Sequence, residues 1–276
     1  MSMDYEVCVD GLAYGYSNDL RVLEGINLKI RGPQLISIIG PNGVGKSTFM
    51  HCLNKILTPS EGTVLIEDID VKDYKVKDLA KKMGFVPNST GDAFPMTVMD
   101  TVLMGRYPTA GHRITNDDVN EAYRVLKLLK IEHLAMRNFD QLSAGQHQKV
   151  ALARGIVQHP RILMLDEPTS NLDIRHQMDV SRILKEMTLN EDIVVIMISH
   201  DLNIAAKYSD RIIMLYDKGI FAIGAPSEVI TPENIRAVYD VESTIVMDEG
   251  RPHVILRDSD FDPCAGASED AICIRR

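Results

Sequence analysis

The chain has 276 residues, 45% of them hydrophobic and 25% charged, and its formal net charge is −9 at pH 7. This length accommodates one large domain with a subdomain and a tail, and the composition is ordinary for a globular protein. The acidic balance argues against nucleic acid as the partner and against direct binding to anionic lipid, because both surfaces attract basic faces.

The sequence gives no sign of a leader or of a membrane span. Its first residues are polar and acidic, and the longest apolar runs, such as residues 193–198, are too short to cross a bilayer. Four scattered cysteines, Cys8, Cys52, Cys264 and Cys273, lack metal-ligand spacing. We therefore expect a cytoplasmic protein with reduced thiols, which reaches a membrane only through partner chains.

In chain order, the first third of the sequence alternates between predicted strands and short helices. Strands are predicted at residues 5–9, 26–30, 35–39, 63–67 and 84–87. Helices are predicted at residues 49–57 and 76–83, and turns over residues 11–18. Pro87 at the end of the fifth strand indicates a strand end or a sheet edge.

The pattern of predicted elements changes after Asn88, and no convincing strand is predicted from there until about residue 158. Apolar residues recur at helical spacing over residues 117–130, and Thr115 with Asp118 forms a plausible capping pair before them. This interval is predicted to be a helical insertion in an otherwise α/β chain.

Strands return at residues 162–165, 194–199 and 212–216, with helices between them. That alternation predicts a parallel sheet covered by helices on both faces. Residues 226–239 are predicted to form a helix, and residues 243–248 and 252–256 a hairpin around the Glu249-Gly250 turn.

Residues 40–48 read GPNGVGKST and match the phosphate-binding P-loop pattern, between a β-rich apolar run and a predicted helix. The glycines let backbone N–H groups point inward around a polyphosphate, and the helix N-terminus adds positive charge. Lys46 is expected to reach the β- and γ-phosphates, and Ser47 to hold Mg²⁺. The nucleotide-binding residues predicted in this loop are Asn42, Gly43, Gly45, Lys46, Ser47 and Thr48.

Residues 161–167 read RILMLDE, an apolar strand that ends in two acids. Downstream of a P-loop this is the Walker B pattern, in which Asp166 would bind Mg²⁺ through its water shell. Glu167 lies just past the strand and could polarise a water in line with the γ-phosphate, so it is the predicted catalytic base. The alternative is a solvated acidic turn.

Residues 142–146 read LSAGQ and open a predicted helix, where Ser143 and Gly145 would form a second anion site. In order with the P-loop and Walker B, this motif resembles the nucleotide-binding subunits of ATP-binding-cassette (ABC) transporters, whose signature is usually LSGGQ. Ala144 replaces the first glycine of that signature. The resemblance implies a head-to-tail dimer in which ATP lies between one copy's P-loop and the partner copy's signature, Gln146 included.

The resemblance assigns roles to further residues. Asp173 lies in a segment similar to the D-loop that crosses to the partner subunit. His200 resembles the switch histidine that contacts the γ-phosphate, and it is the second predicted catalytic residue. Tyr16, about thirty residues before Lys46, stands where the family stacks adenine on an aromatic ring. Tyr14 is the rival, and a purely structural tyrosine is the other alternative.

Asn88 stands where the family places a glutamine that touches Mg²⁺ and the attacking water. It is therefore a predicted nucleotide and metal contact with a shorter amide. The loop could move inward, a water could bridge the gap, activity could be lowered, or Asn88 could be only a turn residue. The shorter reach favours a partial defect, in which Asn88→Gln raises hydrolysis.

The resemblance implies an α/β P-loop NTPase cassette over residues 4–258, with a RecA-like core, an antiparallel β subdomain and a helical subdomain at about residues 89–158. Residues 259–276 are predicted to be a flexible tail. Four segments resemble the importers of iron-siderophores, haem and cobalamin: residues 92–98, 104–108, 238–241 and 250–254.

The expected function is that of a Mg²⁺-dependent ATPase subunit of such an importer. Its expected partners are a second copy of itself, transmembrane permease subunits and, indirectly, an extracytoplasmic substrate-binding protein. It would sit on the cytoplasmic face of the membrane. Alternatives are a soluble ABC ATPase for iron–sulfur cluster assembly and a weakly hydrolysing regulatory module.

Overall fold

The computed structural model describes residues 6–17, 20–88, 96–110, 113–170 and 172–257. The predicted tail at residues 259–276, and most of the importer-like segment at residues 92–98, lie outside these ranges. The strands are β1 (Glu6–Ser17), β2 (Leu20–Arg31), β3 (Gln34–Ile39), β4 (Glu61–Ile66), β5 (Ile69–Asp70), β6 (Met83–Val86), β7 (Ile162–Leu165), β8 (Val194–Ile198), β9 (Arg211–Tyr216), β10 (Gly219–Gly224), β11 (Glu242–Asp248) and β12 (Arg251–Arg257). The α-helices are α1 (Lys46–Leu53), α2 (Val76–Lys82), α3 (Val98–Leu103), α4 (Tyr107–Ala110), α5 (Asn116–Leu128), α6 (Ala144–Ile156), α7 (Ile174–Asn190), α8 (Leu202–Tyr208), α9 (Pro226–Val229) and α10 (Pro232–Tyr239).

The central sheet has six strands in the order β10-β9-β3-β8-β7-β6. All neighbouring pairs are parallel except β10 with β9. Strand β6, which ends just before Pro87, lies at one edge, as its proline predicted. Because the carboxyl ends of β3, β7 and β8 meet at one side of the sheet, the segments that follow these strands are brought together there.

A second, antiparallel sheet has the order β2-β1-β4-β5. The prediction of turns over residues 11–18 was wrong for the described part of that stretch, because β1 continues to Ser17. Its pairing with β2 shifts register several times between Val9 and Ser17. Bulges of this kind admit extra residues into a strand, so the local sequence has the composition of a turn.

Between β6 and β7, the described residues form helices and short 3-10 turns, and none belongs to a sheet. A single bridge joins Thr97 to Asn138. Thr97 and Thr115 begin α3 and α5 with capping boxes that satisfy the first free N–H groups of each helix. The α/β class with an antiparallel subdomain and a helical subdomain is confirmed.

An ion pair between Arg106 and Asp118 joins two parts of the helical segment. Arg106 Nε donates to Asp118 Oδ1 at 2.8 Å, and Arg106 Nη1 donates to the carbonyl of Val157 at 3.0 Å. The Thr115 N–H group and the Arg106 guanidinium lower the pKa of Asp118 to about 2. The pair thus ties the start of α5 to the end of α6.

The C-terminal part departs from the prediction in two places. The continuous helix predicted over residues 226–239 was wrong, because the first helix ends at Val229 and Thr231 caps a second helix that starts at Pro232. Proline lacks the N–H group that a continuing helix needs, but it fits the first helical turn. Strand β10 was not predicted, whereas β11 and β12 pair as the predicted hairpin.

The central sheet is buried on both faces. Alternate residues of β7 point to opposite sides, so that Leu163 and Leu165 pack with the helical segment, while Ile162 and Met164 pack with α1 and the antiparallel sheet. Burial raises the pKa of Cys52 to about 12, which makes it a packing residue. Among the described helices, none combines the length and the apolar character needed to cross a bilayer.

Candidate active site

The P-loop follows β3 directly and depends on glycine at two close approaches. Gly40 has φ 149° and Gly45 has φ 104°, conformations that residues with a side chain rarely adopt. A Cβ atom would lie 2.4 Å from the Leu215 carbonyl at Gly40, and 2.9 Å from Val22 and Leu23 side-chain atoms at Gly45. The tip residues Asn42 and Gly43 are exposed, so the loop presents its tip to solvent.

Lys46 opens α1, and its side chain lies across the loop. Its Nζ donates to the carbonyls of Gly40 and Pro41, both at 2.9 Å. Burial lowers the pKa of this ammonium group, and the nearby carboxylates of Glu167 and Asp166 act in the opposite direction. The cation is therefore held between the loop and two acids, where phosphate oxygens would meet it.

Ser47 and Asp166 meet at the base of the loop, where Ser47 Oγ donates to Asp166 Oδ1 at 3.2 Å. Burial raises the pKa of Asp166, while the hydrogen bond from Ser47 opposes that shift. A hydroxyl and a carboxylate oxygen at this separation suit Mg²⁺, which prefers oxygen ligands and takes its remaining ones from water and phosphates. The donor set therefore fits the metal predicted for these residues.

Glu167 comes directly after Asp166 and contacts His200. Its φ of 53° is in the left-handed region, which a glutamate rarely adopts and which costs roughly 1–3 kcal/mol. Glu167 Oε1 lies against His200 Nε2. Strained backbone of this kind concentrates at active sites, and here it aims the carboxylate at the segment that follows β8.

Asn88 contacts Glu167 directly. Its Nδ2 donates to Glu167 Oε2 at 2.9 Å, and its Oδ1 accepts from Ser170 Oγ at 3.2 Å. The same hydroxyl of Ser170 also lies 3.1 Å from the carbonyl of Glu167. Both carboxylate oxygens of Glu167 thus have a partner, and the shorter amide fits the loop as it stands.

The two candidate aromatic residues have different surroundings. Tyr16 is 61% exposed, and its hydroxyl lies 3.2 Å from Thr48 Oγ1, beside the P-loop helix. Tyr14 packs against the buried cluster of the antiparallel sheet and meets the ring of Tyr16 edge-on at 5.2 Å. Of the two rings, Tyr16 is the one available to a ligand near Thr48.

The signature residues lie elsewhere, in a second cleft of about 310 Å³ that Ser143, Gly145, Gln146 and Asp173 help to line. No P-loop residue is among the described residues around it. Ser143 caps α6: its Oγ accepts from Gln146 N at 3.4 Å, and its own N–H donates to Gln146 Oε1 at 3.0 Å. One chain therefore does not unite the P-loop with the signature.

Asp173 lines this second cleft, and Ala144 lies in sequence between two residues that line it. Asp173 caps α7 by accepting from His176 N at 2.9 Å, so its carboxylate is held at the cleft wall. Ala144 is exposed, so its methyl group disturbs no packing. Basic side chains also line the cleft, and Lys149 is the nearest to the signature along α6. A cleft with this composition suits an anionic ligand.

Sequence reasoning missed two polar residues at the first site. Ser170 orients Asn88, and its place in the D-loop-like run was the available signal. Asn203, three residues after His200, binds a strand 51 positions away, and no local pattern indicates that contact.

The protein-family profile described as "ABC transporter" matches residues 23–170. An uncharacterised ABC transporter ATP-binding protein of Methanocaldococcus jannaschii is 44% identical over 247 residues, which cover 90% of this chain and 96% of the relative. The hemin import ATP-binding protein of Escherichia coli O157:H7 is 35% identical over 244 residues, covering 86% and 94%. A structure of a metal-chelate type ABC transporter in an inward-facing conformation has a TM-score of 0.80 at 26% identity, covering 93% and 98%.

Proposed function

The chain belongs to the ATP-binding proteins of ABC transporters, and we propose that it couples Mg²⁺-dependent ATP hydrolysis to the uptake of an iron chelate, haem or cobalamin. It is an ABC transporter ATPase, and its cassette binds ATP. The observation that carries the hydrolytic proposal is the meeting of Glu167, His200 and Asn88 beside the P-loop. That arrangement also disfavours a weakly hydrolysing regulatory module.

In the proposed mechanism, P-loop N–H groups and Lys46 bind the β- and γ-phosphates. Ser47 and Asp166 would hold Mg²⁺, which when bound would supply positive charge against the charge that develops on the phosphates. The Glu167 carboxylate accepts the proton of the attacking water, and Asn88 keeps its Oε2 oriented. His200 holds the other side of Glu167 and contacts the γ-phosphate.

The separate signature cleft supports a second copy of the chain as the partner. A nucleotide on one P-loop would meet Ser143 and Gly145 of the other copy, since no P-loop residue is among the described residues that line the signature cleft of the same chain. The N-terminus of α6 then provides N–H groups for the γ-phosphate. Asp173, at the wall of the same cleft, would face the partner copy.

The substrate class is supported by the relatives. One similar protein is named for hemin import, and a similar fold belongs to a metal-chelate type transporter. We propose transmembrane permease subunits as the membrane partners, with the cassette on the cytoplasmic face. An extracytoplasmic binding protein would deliver the substrate to them.

The test is uptake by proteoliposomes that contain the chain and the permease encoded near it. Haem, a ferric siderophore and cobalamin are supplied separately with the matching binding protein, with and without ATP inside. Uptake of one of them that requires ATP, and that stops with Glu167→Gln, is the expected result. ATPase activity without uptake of any of the three would contradict the importer proposal and favour a soluble role.

A prediction concerns Asn88, whose amide has partners at both ends. These bonds favour a loop set for the shorter side chain, against the expectation that Asn88→Gln raises hydrolysis. We expect Asn88→Gln to crowd Glu167 and to lower permease-stimulated turnover by about tenfold, because misplacement near 1 Å is costly. Steady-state ATPase assays at saturating ATP measure it, with Ser170→Ala as the variant that removes the hydroxyl orienting Asn88, together with the contact of that hydroxyl with the Glu167 carbonyl. A faster Asn88→Gln enzyme would restore the partial-defect interpretation.

A further inference from the structure

A cleft of about 680 Å³ separates the Glu167–His200 contact from α10 and the hairpin of β11 and β12. The side chain of His200 is 42% exposed and borders this open space. Packing therefore does not fix the imidazole on that side. Its position depends on its contact with Glu167 and on how the backbone around it is anchored.

The backbone before His200 is anchored to the central sheet. The N–H group of Ser199 donates to the carbonyl of Ile38 in β3 at 3.1 Å, and Ser199 Oγ donates to the carbonyl of Asp201 at 3.0 Å. This fixes where the chain leaves β8. It does not fix the direction in which α8 continues.

The backbone after His200 enters α8 through a side-chain cap. Asp201 Oδ1 accepts from the N–H groups of Asn203 at 2.8 Å and of Ile204 at 3.0 Å. The cap satisfies free donors of the first helical turn and ties that turn to the residue next to His200. A contact that restrains the first turn of α8 therefore also restrains the backbone beside His200.

Asn203 binds that first turn to the C-terminal hairpin at two points. Its Oδ1 accepts from Val254 N at 2.7 Å, and its Nδ2 donates to the carbonyl of Val254 at 3.2 Å. Val254 is buried in β12 and pairs with Ile245 of β11. An amide that meets both polar groups of one residue fixes orientation as well as distance.

We propose that Asn203 is a positioning residue for His200, through which the C-terminal hairpin keeps the imidazole against Glu167. The inference rests on the proposed ATPase function and adds to it a link between the hydrolytic site and residues 242–257. Asn203 acts on the hydrolytic step and not on nucleotide binding, because its two bonds join α8 to β12 and reach neither Lys46 nor Ser47.

The first test is the split between turnover and affinity in Asn203→Ala. We expect turnover at saturating ATP to fall about three- to tenfold, the scale of one or two lost hydrogen bonds. The dissociation constant for ATP should stay within about twofold of the parent. Asn234→Ala is the matched control, since Asn234 Nδ2 donates to the carbonyl of Val229 at 2.9 Å in the same region without reaching α8. Equal losses in both variants, or a loss confined to ATP affinity, would overturn the proposal.

The second test is a double-mutant cycle with His200→Ala. If Asn203 acts through His200, then Asn203→Ala should lower turnover no further in the His200→Ala background. Independent, multiplying losses would show instead that the hairpin supports the site generally. The melting temperature of each variant shows whether it is folded at the assay temperature.

A third measurement needs no turnover. Amide hydrogen exchange in the nucleotide-free protein should speed up over residues 199–204 in Asn203→Ala and remain unchanged there in Asn234→Ala. Unchanged exchange in both variants would overturn the proposed positioning role of Asn203, even if the parent chain proved inactive. A parent that fails to hydrolyse ATP but shows the expected exchange would contradict the proposed function and still support the link between Asn203 and the backbone at His200.

Discussion

Glu167→Gln is expected to lower ATP turnover by about 10²- to 10⁴-fold, the usual scale for a general base, while ATP still binds. The glutamine keeps the size of the side chain and can still meet Asn88 and His200. It cannot accept a proton from water. Because binding persists without hydrolysis, we also expect a closed dimer to accumulate with ATP.

Single-turnover assays and size-exclusion chromatography with ATP measure these two effects. Glu67→Gln is the matched control, since Glu67 has a similar φ of 51° and an ion pair to Lys82 at 2.6 Å, but lies in the turn between β4 and β5 of the antiparallel sheet. The control should keep the parental rate. Parental turnover in Glu167→Gln would show that another group accepts the proton.

Lys46→Ala is expected to weaken ATP binding by about 10- to 100-fold, the range for losing hydrogen bonds to a charged group. In the structure the ammonium group donates to two carbonyls of the P-loop. With ATP it would exchange these partners for phosphate oxygens, which carry charge and so bind it more strongly. The loss should therefore appear in the dissociation constant.

Titration with a fluorescent ATP analogue measures that constant. Lys55→Ala makes a close control, because Lys55 Nζ also donates to two carbonyls, those of Lys72 at 2.7 Å and Tyr74 at 2.6 Å, away from the P-loop. It should leave ATP affinity intact. If both variants lose ATP affinity equally, then Lys46→Ala weakens binding by disturbing the fold and not by removing a contact with phosphate.

The P-loop, the Walker B strand and the signature helix could be predicted because each is encoded locally. A strand, a glycine-rich turn and a helix follow one another within a few residues, and the signs of each are in the sequence itself. Parallel strands then bring the segments after them to one edge. Lys46 and Asp166 could therefore be predicted to share a site from their motifs, whereas His200 was assigned to it by the resemblance to ABC transporter ATPases.

Other features depend on contacts that no local pattern encodes. Asn88 meets Glu167 across 79 positions of sequence, and no local pattern indicates that direct bond. Strand β10 is held by its antiparallel pairing with β9. The bulges of β1 have the composition of turns, and only pairing with β2 keeps them in a strand.

The roles of individual residues and the domain limits stay predictions. The geometry adds supporting contacts around Glu167 and separates Tyr16 from Tyr14 by exposure. The tail at residues 259–276 lies outside the described residues. The expectation that it is flexible rests on the sequence alone.

The separation of the P-loop from the signature cleft has a genetic consequence. A copy with Lys46→Ala keeps an intact signature motif, and a copy with Ser143→Ala keeps an intact P-loop. In the proposed head-to-tail dimer of one copy with the other, one composite site would combine both lesions, while the other would contain neither. Two alleles that each fail alone should therefore partly complement one another in the same cell, whereas a single allele carrying both changes should rescue neither.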